Sequence, residues 1–138
     1  MKNPTSPPPN IEVLALDWET DTMSSLPALL GRKQPKSRDR SSVDISALIA
    51  CDCIYNDALI DPFVSACAEI CELSSTSNPT VCIVAQQLRA AEVFESWLKA
   101  FHRHFRVWRV PDKLLTEGLR ENSGFVVHVG LLRQSGKT

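Results

Sequence analysis

The stretch Ala47-Leu-Ile-Ala-Cys-Asp52-Cys-Ile-Tyr55-Asn-Asp-Ala-Leu-Ile-Asp-Pro-Phe-Val64 decides how this chain is read. An apolar run ends on a carboxylate and an aromatic hydroxyl, then passes directly into residues with helical spacing. A continuous apolar strand suits a parallel sheet covered on both faces. In open α/β sheets ligands bind outside the carboxyl ends of the strands, so Asp52 and Tyr55 stand where chemistry is placed.

Outward from this stretch the same alternation continues. Val43–Cys51 reads as the strand itself. The helix that follows carries Leu59, Ile60, Phe63, Val64, Cys67, Ile70 and Cys71 on one face, with Pro62 in its first turn and Asp61 or Asn56 as cap. Ser74–Pro79 is a turn and Val81–Ala85 a further strand. A second helix over about Ala90–His104 places Val93, Phe94, Trp97, Leu98 and Phe101 together, and Phe105–Val110 and Phe125–Leu132 are two more strands. Upstream, Ile11–Leu16 reads as a buried strand with Asp17 and Trp18 at its exit. Asp21–Ser42, interrupted by Pro27 and Pro35 and carrying the basic run Arg32, Lys33, Lys36, Arg38 and Arg40, reads as a long exposed loop. The order is strand, loop, strand, helix, strand, helix, strand, loop, strand, which implies a layered α/β domain with an antiparallel finish.

Composition narrows the function classes. The chain has 138 residues, 43% of them apolar, enough for one core. Its formal net charge of −1 gives no general field toward nucleic acid or an anionic membrane. Apolar runs such as Phe125–Val129 fall far short of the roughly 18–20 residues of a membrane span, and Met-Lys-Asn-Pro is no signal peptide, so an intracellular, cytoplasmic protein is expected. Residues 1–10, with Pro4, Pro7, Pro8 and Pro9, form a polar lead-in, residues 11–133 the domain and residues 134–138 a tail. Five cysteines argue against a disulfide scaffold. Cys51, Cys53, Cys67 and Cys71 fall in apolar periodic segments, where a thiol packs as a small hydrophobe, and their spacing is not that of a zinc site. His102 and His104 end a helix, where cations suit the dipole, and His128 is expected to be a satisfied strand histidine. Trp97 and Trp108 are expected to pack.

Several of these pieces resemble the family-16 methyltransferases, a branch of the seven-β-strand S-adenosylmethionine-dependent enzymes that mostly modify protein lysines. They are Leu14-Ala-Leu-Asp-Trp18, Ile49-Ala-Cys-Asp-Cys-Ile-Tyr55 and Asp57–Pro62. Val84-Ala-Gln-Gln-Leu-Arg89 and Phe105-Arg-Val-Trp-Arg-Val-Pro111 are similar to fungal members that methylate lysine on a large-subunit ribosomal protein. The resemblance implies a partial Rossmann-like α/β fold, a three-layer sandwich holding strands 3 to 7 of the order 3-2-1-4-5-7-6 and lacking the first two. The cofactor-binding glycine loop and the ribose-binding acidic residue of the family have no counterpart here, since Gly31, Gly118, Gly124, Gly130 and Gly136 make no G-x-G-x-x-G-like run. The chain would then be the C-terminal portion of an enzyme, with an exposed edge on Val43–Cys51.

The same resemblance implies S-adenosyl-L-methionine as cofactor, a ribosomal protein as substrate and no metal. It assigns Asp17, Trp18, Ala50 and Cys51 to the cofactor, with Trp18 as an apolar wall against adenine and Cys51 contacting through its backbone. Asp52 and Tyr55 become the catalytic pair, which orients the substrate amine for in-line methyl transfer. The alternatives are a core tryptophan at Trp18, a loop carboxylate at Asp17, a plain strand cysteine at Cys51, and a helix-capping Asp52 beside a packing Tyr55. The amino-methyltransferases of DNA and RNA carry Asp/Asn-Pro-Pro-Tyr/Phe at this place. Both prolines are missing here, which argues against a nucleic-acid substrate. Two non-methyltransferase readings stand beside the enzyme: an incomplete, non-catalytic α/β domain that binds proteins through its open edge, and a receiver-like or nucleotide-binding domain, weakened by the lack of a phosphate loop.

Overall fold

The computed structural model describes residues 11–30 and 44–134. Its centre is a four-stranded mixed sheet built from β1 (Ala47–Cys51), β2 (Val81–Gln87), β3 (Phe105–Arg109) and β4 (Phe125–Leu132), in the spatial order β1-β2-β4-β3. β1 and β2 are parallel, with Ala50 opposite Val84, while β4 runs antiparallel to both β2 and β3. The order is compatible with a partial methyltransferase-like fold. The apolar spacing of α2 (Ile60–Glu72) and α3 (Ala91–His104) forms the helices the sequence suggests. Pro62 lies in the first turn of α2, where its missing N–H is harmless. A 3-10 turn at Asp57–Leu59 leads into the helix, and neither Asn56 nor Leu59 makes a side-chain cap.

Both helices cover the same face of the sheet. Ala50, Cys82 and Val84, alternate residues of β1 and β2, share one core with Phe63, Val64 and Cys67 of α2 and Trp97 and Phe101 of α3. Stacked rings carry that core across the α3–β3 junction: Trp97 on Phe101 at 4.9 Å, and Phe101 on Phe105 at 4.4 Å. Gly130 of β4 makes this possible. A Cβ there would lie 2.7 Å from Phe101 Cζ, so only glycine lets the ring lie against the strand. Gly124, at φ +84, turns the chain into β4.

The expected third layer is not found among the described residues. On the other face Ile49 is 71% exposed, Trp108 is 51% exposed, and Ile83, Val129 and Leu131 are only half-buried. Trp108 therefore does not join Trp97 in the packing, because successive strand residues point to opposite faces and only one face is covered by helices.

The expected strand at Ile11–Leu16 is corrected as well. The segment carries no strand, and Ile11 and Val13 are 70% and 90% exposed. Its continuation supplies the reason. Met23 and Leu26 are buried against Ala66 and Ile70 of α2, together with Leu16 and Trp18, so the chain is anchored beside the helix layer and not along a sheet edge. The expected loop after Asp21 also takes on structure, a 3-10 turn at Met23–Ser25 and a short helix α1 at Leu26–Leu30, because Met23 is an anchor and wholly buried. The basic run of Arg32, Lys33, Lys36, Arg38 and Arg40 lies outside the described residues.

At the amino ends of the parallel strands, Thr80 is buried and its hydroxyl donates to the Ile45 carbonyl at 2.7 Å, while the Ile45 N–H donates to Ser74 Oγ at 2.9 Å. This links the entry to β1, the end of α2 and the start of β2.

Candidate active site

The ladder of β1 continues one residue past the strand, since the Asp52 N–H donates to the Ala85 carbonyl at 2.8 Å. Asp52 then adopts φ +52, and is the non-glycine residue with positive φ among those described. Aspartate tolerates this left-handed conformation better than most residues, and sparsely populated backbone geometry clusters at functional sites. The turn points the chain away from the sheet and on to Tyr55, which is 70% exposed. Asp52 and Tyr55 thus both stand at the carboxyl end of a parallel strand.

The Asp52 carboxylate is engaged from the neighbouring strand. Arg89 Nη2 lies 3.0 Å from Oδ2, and the Gln87 N–H approaches Oδ1 at 3.5 Å. Arg89 also donates through Nε and Nη2 to Gln87 Oε1, at 3.0 and 2.6 Å. Gln87 and Arg89 belonged to a quoted stretch of the sequence but carried no role there. The signal that could have found them is the strand-exit rule applied to β2 as well as β1.

The other candidate residues do not converge on Asp52. Ala50 is buried beneath the helices, and Cys51 is exposed on the uncovered face. The Cys53 thiol donates to the Cys51 carbonyl at 3.6 Å, and burial pushes its pKa up. The Asp17 carboxylate accepts from the Glu19 N–H at 2.9 Å, while the Asp17 N–H donates to Asp21 Oδ2 at 2.8 Å, closing a local turn. Trp18 meets Phe63 edge-on at 5.7 Å.

Two further clusters were not anticipated. Cys67, Cys71 and Cys82 are buried between α2 and β2. Their mutual hydrogen bonds and burial raise the Cys71 thiol, and hydrogen bonding to Cys67 together with burial pushes Cys82 up to about 12. Cys71 and Cys82 therefore stay protonated and inert. His128 is not the satisfied strand histidine expected: its Nδ1 is buried without a hydrogen-bond partner, as are Gln86 Nε2 and Trp97 Nε1. Burial, then the charges of Arg109 and His102, lower its pKa to about 4. Among the described residues no group of His, Cys, Asp and Glu is arranged to hold a metal ion, and no helix is long and apolar enough to cross a membrane.

No family model matches the chain. Among curated proteins it is 29% identical over 127 residues to ribosomal lysine N-methyltransferase 5 of the yeast Vanderwaltozyma polyspora. The similarity covers 87% of this chain, which spans 36% of the length of that relative. A distant relationship to a methyltransferase is thus supported across most of the chain.

Proposed function

We propose that this chain is the acceptor-side part of an S-adenosylmethionine-dependent protein-lysine N-methyltransferase of the family-16, seven-strand type, acting on a ribosomal protein in the cytoplasm. The observation that carries the reading is Asp52, a carboxylate held in left-handed geometry at the exit of a parallel strand, within a chain distantly related to a lysine methyltransferase. Asp52 would receive the substrate lysine as its ammonium ion, which gives up one proton to solvent at this exposed site before the nitrogen lone pair can attack the methyl group, and Tyr55, exposed three residues on, would border the same approach. Orienting the amine is the main task of such an enzyme, because methyl transfer from a sulfonium is an in-line displacement whose rate depends on alignment.

The fit to the cofactor is only partial. Cys51 is exposed at the strand exit, on the outer strand of the sheet, and Ala50 can contribute only backbone because its side chain is packed under α2 and α3. The Asp17 carboxylate is committed to its own turn and the Trp18 ring to Phe63. Asp17, Trp18, Ala50 and Cys51 therefore make no closed cleft by themselves.

The test has two parts: calorimetric titration of the chain with S-adenosylmethionine, where weak or no binding is expected from the open site, and incubation of an enzyme that joins this chain to a glycine-rich cofactor loop with S-adenosylmethionine and large-subunit ribosomal proteins, read by mass spectrometry of lysine methylation. Methylation by that enzyme and its loss in Asp52→Asn, which tolerates the same φ, is the expected result. Undiminished methylation in Asp52→Asn, or no methylation of any ribosomal protein, refutes the reading. A non-catalytic protein-binding domain is the second reading, favoured by the outer position of β1 in the described sheet and by its exposed Ile49.

A further inference from the structure

Asp52 and Arg89 form an ion pair at 3.0 Å. Its setting is specific. Asp52 leaves β1, Gln87 ends β2, and Arg89 follows two residues later, so the pair spans the carboxyl ends of two adjacent parallel strands. The guanidinium has two independent anchorages, the Asp52 carboxylate on one side and the Gln87 amide oxygen on the other. Both side chains are reached by solvent, Arg89 at 62% and Asp52 at 33%.

We propose that Arg89 is a resident stand-in for the substrate cation: it occupies the Asp52 carboxylate until a lysine side chain displaces it, and then remains held by Gln87. The inference rests on the reading of Asp52 as the lysine-orienting group. An exposed ion pair contributes little, about 0–1 kcal/mol, so exchanging one cation for another is close to neutral. The exchange is selective for charge. A lysine, an ammonium ion at neutral pH, restores the pair it breaks, whereas a neutral side chain would leave the carboxylate without its cation. Because Arg89 keeps its two contacts to Gln87 Oε1, its departure from Asp52 does not release the whole side chain into solution. Arg89 is thus a positioning residue, holding the Asp52 carboxylate in place until a substrate cation takes it over.

The experiment uses the full chain and two probes, Nα-acetyl-lysine methylamide and its uncharged counterpart Nα-acetyl-norleucine methylamide, with the Arg89 Nε–H resonance followed by NMR. The lysine amide is expected to shift that resonance and the norleucine amide to leave it in place. Arg89→Gln, which removes the competing exposed pair, is expected to bind the lysine amide about two- to five-fold more tightly, and Asp52→Asn to lose the binding. The titration of the parent stands alone if a variant fails to fold. Lysine-amide binding that depends on Asp52, with the Arg89 resonance unmoved and Arg89→Gln binding no tighter, overturns the stand-in role and leaves the Asp52 reading intact. Equal binding by parent and Asp52→Asn, or binding by neither, overturns both.

Discussion

His128 makes the stability of this domain depend on pH in a defined direction. It lies in the middle of β4, opposite Val84 on one side and Arg109 on the other, with the rings of Phe94 and Trp97 at 5.7 and 5.6 Å. Protonation would place a cation in that apolar setting beside Arg109, and burial together with the Arg109 and His102 charges lowers the pKa from 6.5 to about 4. Because the folded value lies below the unfolded one, the unfolded chain binds more protons between the two, so stability rises with pH across that window. The contribution is fully present above about pH 6.5 and is lost as pH falls toward about 4. The gap between the two values corresponds to roughly 3 kcal/mol. That is a large part of the 5–15 kcal/mol typical of a domain. Urea unfolding of the parent and of His128→Leu at a series of pH values isolates it, since carboxylates titrate in both proteins. The parent should lose about 3 kcal/mol more than the variant between pH 7 and pH 4. Parallel stability profiles, or a parent that gains on the variant as pH falls, would refute the burial argument.

Gly130→Ala should destabilise by about 1–3 kcal/mol in thermal or urea unfolding, because Phe101 is held between Trp97 and Phe105 and cannot yield to the added Cβ. An unchanged midpoint would mean that the aromatic stack is loose. Thr80→Val, which keeps shape but removes the hydroxyl that serves the Ile45 carbonyl, should cost about 1–3 kcal/mol by the same assay. Labelling with an aromatic disulfide reagent should be rapid at exposed Cys51 and absent at Cys67, Cys71 and Cys82 until the chain unfolds, as peptide mapping can establish. Truncating Val84 to Ala should cost about 1–3 kcal/mol more than truncating Ile49, which lies on the uncovered face.

Local pattern alone was enough to place α2, α3 and β4 closely, because each helix carries an apolar stripe at helical spacing and β4 is a nearly continuous apolar run bounded by Gly124 and Arg133. It was also enough to put Asp52 at a strand exit. It failed at Ile11–Leu16, where an apolar hexapeptide looks the same whether or not a neighbouring strand exists to pair with it. It failed again after Asp21, where Met23 is buried only because α2 presents Ala66 and Ile70 to receive it. Arg89 was visible in the sequence but mute, since its meaning is its 3.0 Å approach to a carboxylate 37 residues away.

What the sequence by itself determined is local and repetitive: which segments from Ala47 to Leu132 are the helices and strands of the sheet and its covering layer, that they alternate, and that Asp52 and Tyr55 follow an apolar strand. Those features arise from backbone sterics and from periods of 2 and 3.6 residues, which are written in the chain. Tertiary structure alone decided that the helices described share one face, that Asp52 turns through positive φ into the reach of Arg89, and that His128 is buried without a partner for Nδ1. Each of these depends on which residues, distant in sequence, exclude water from one another, a property of the packed whole and not of any single segment.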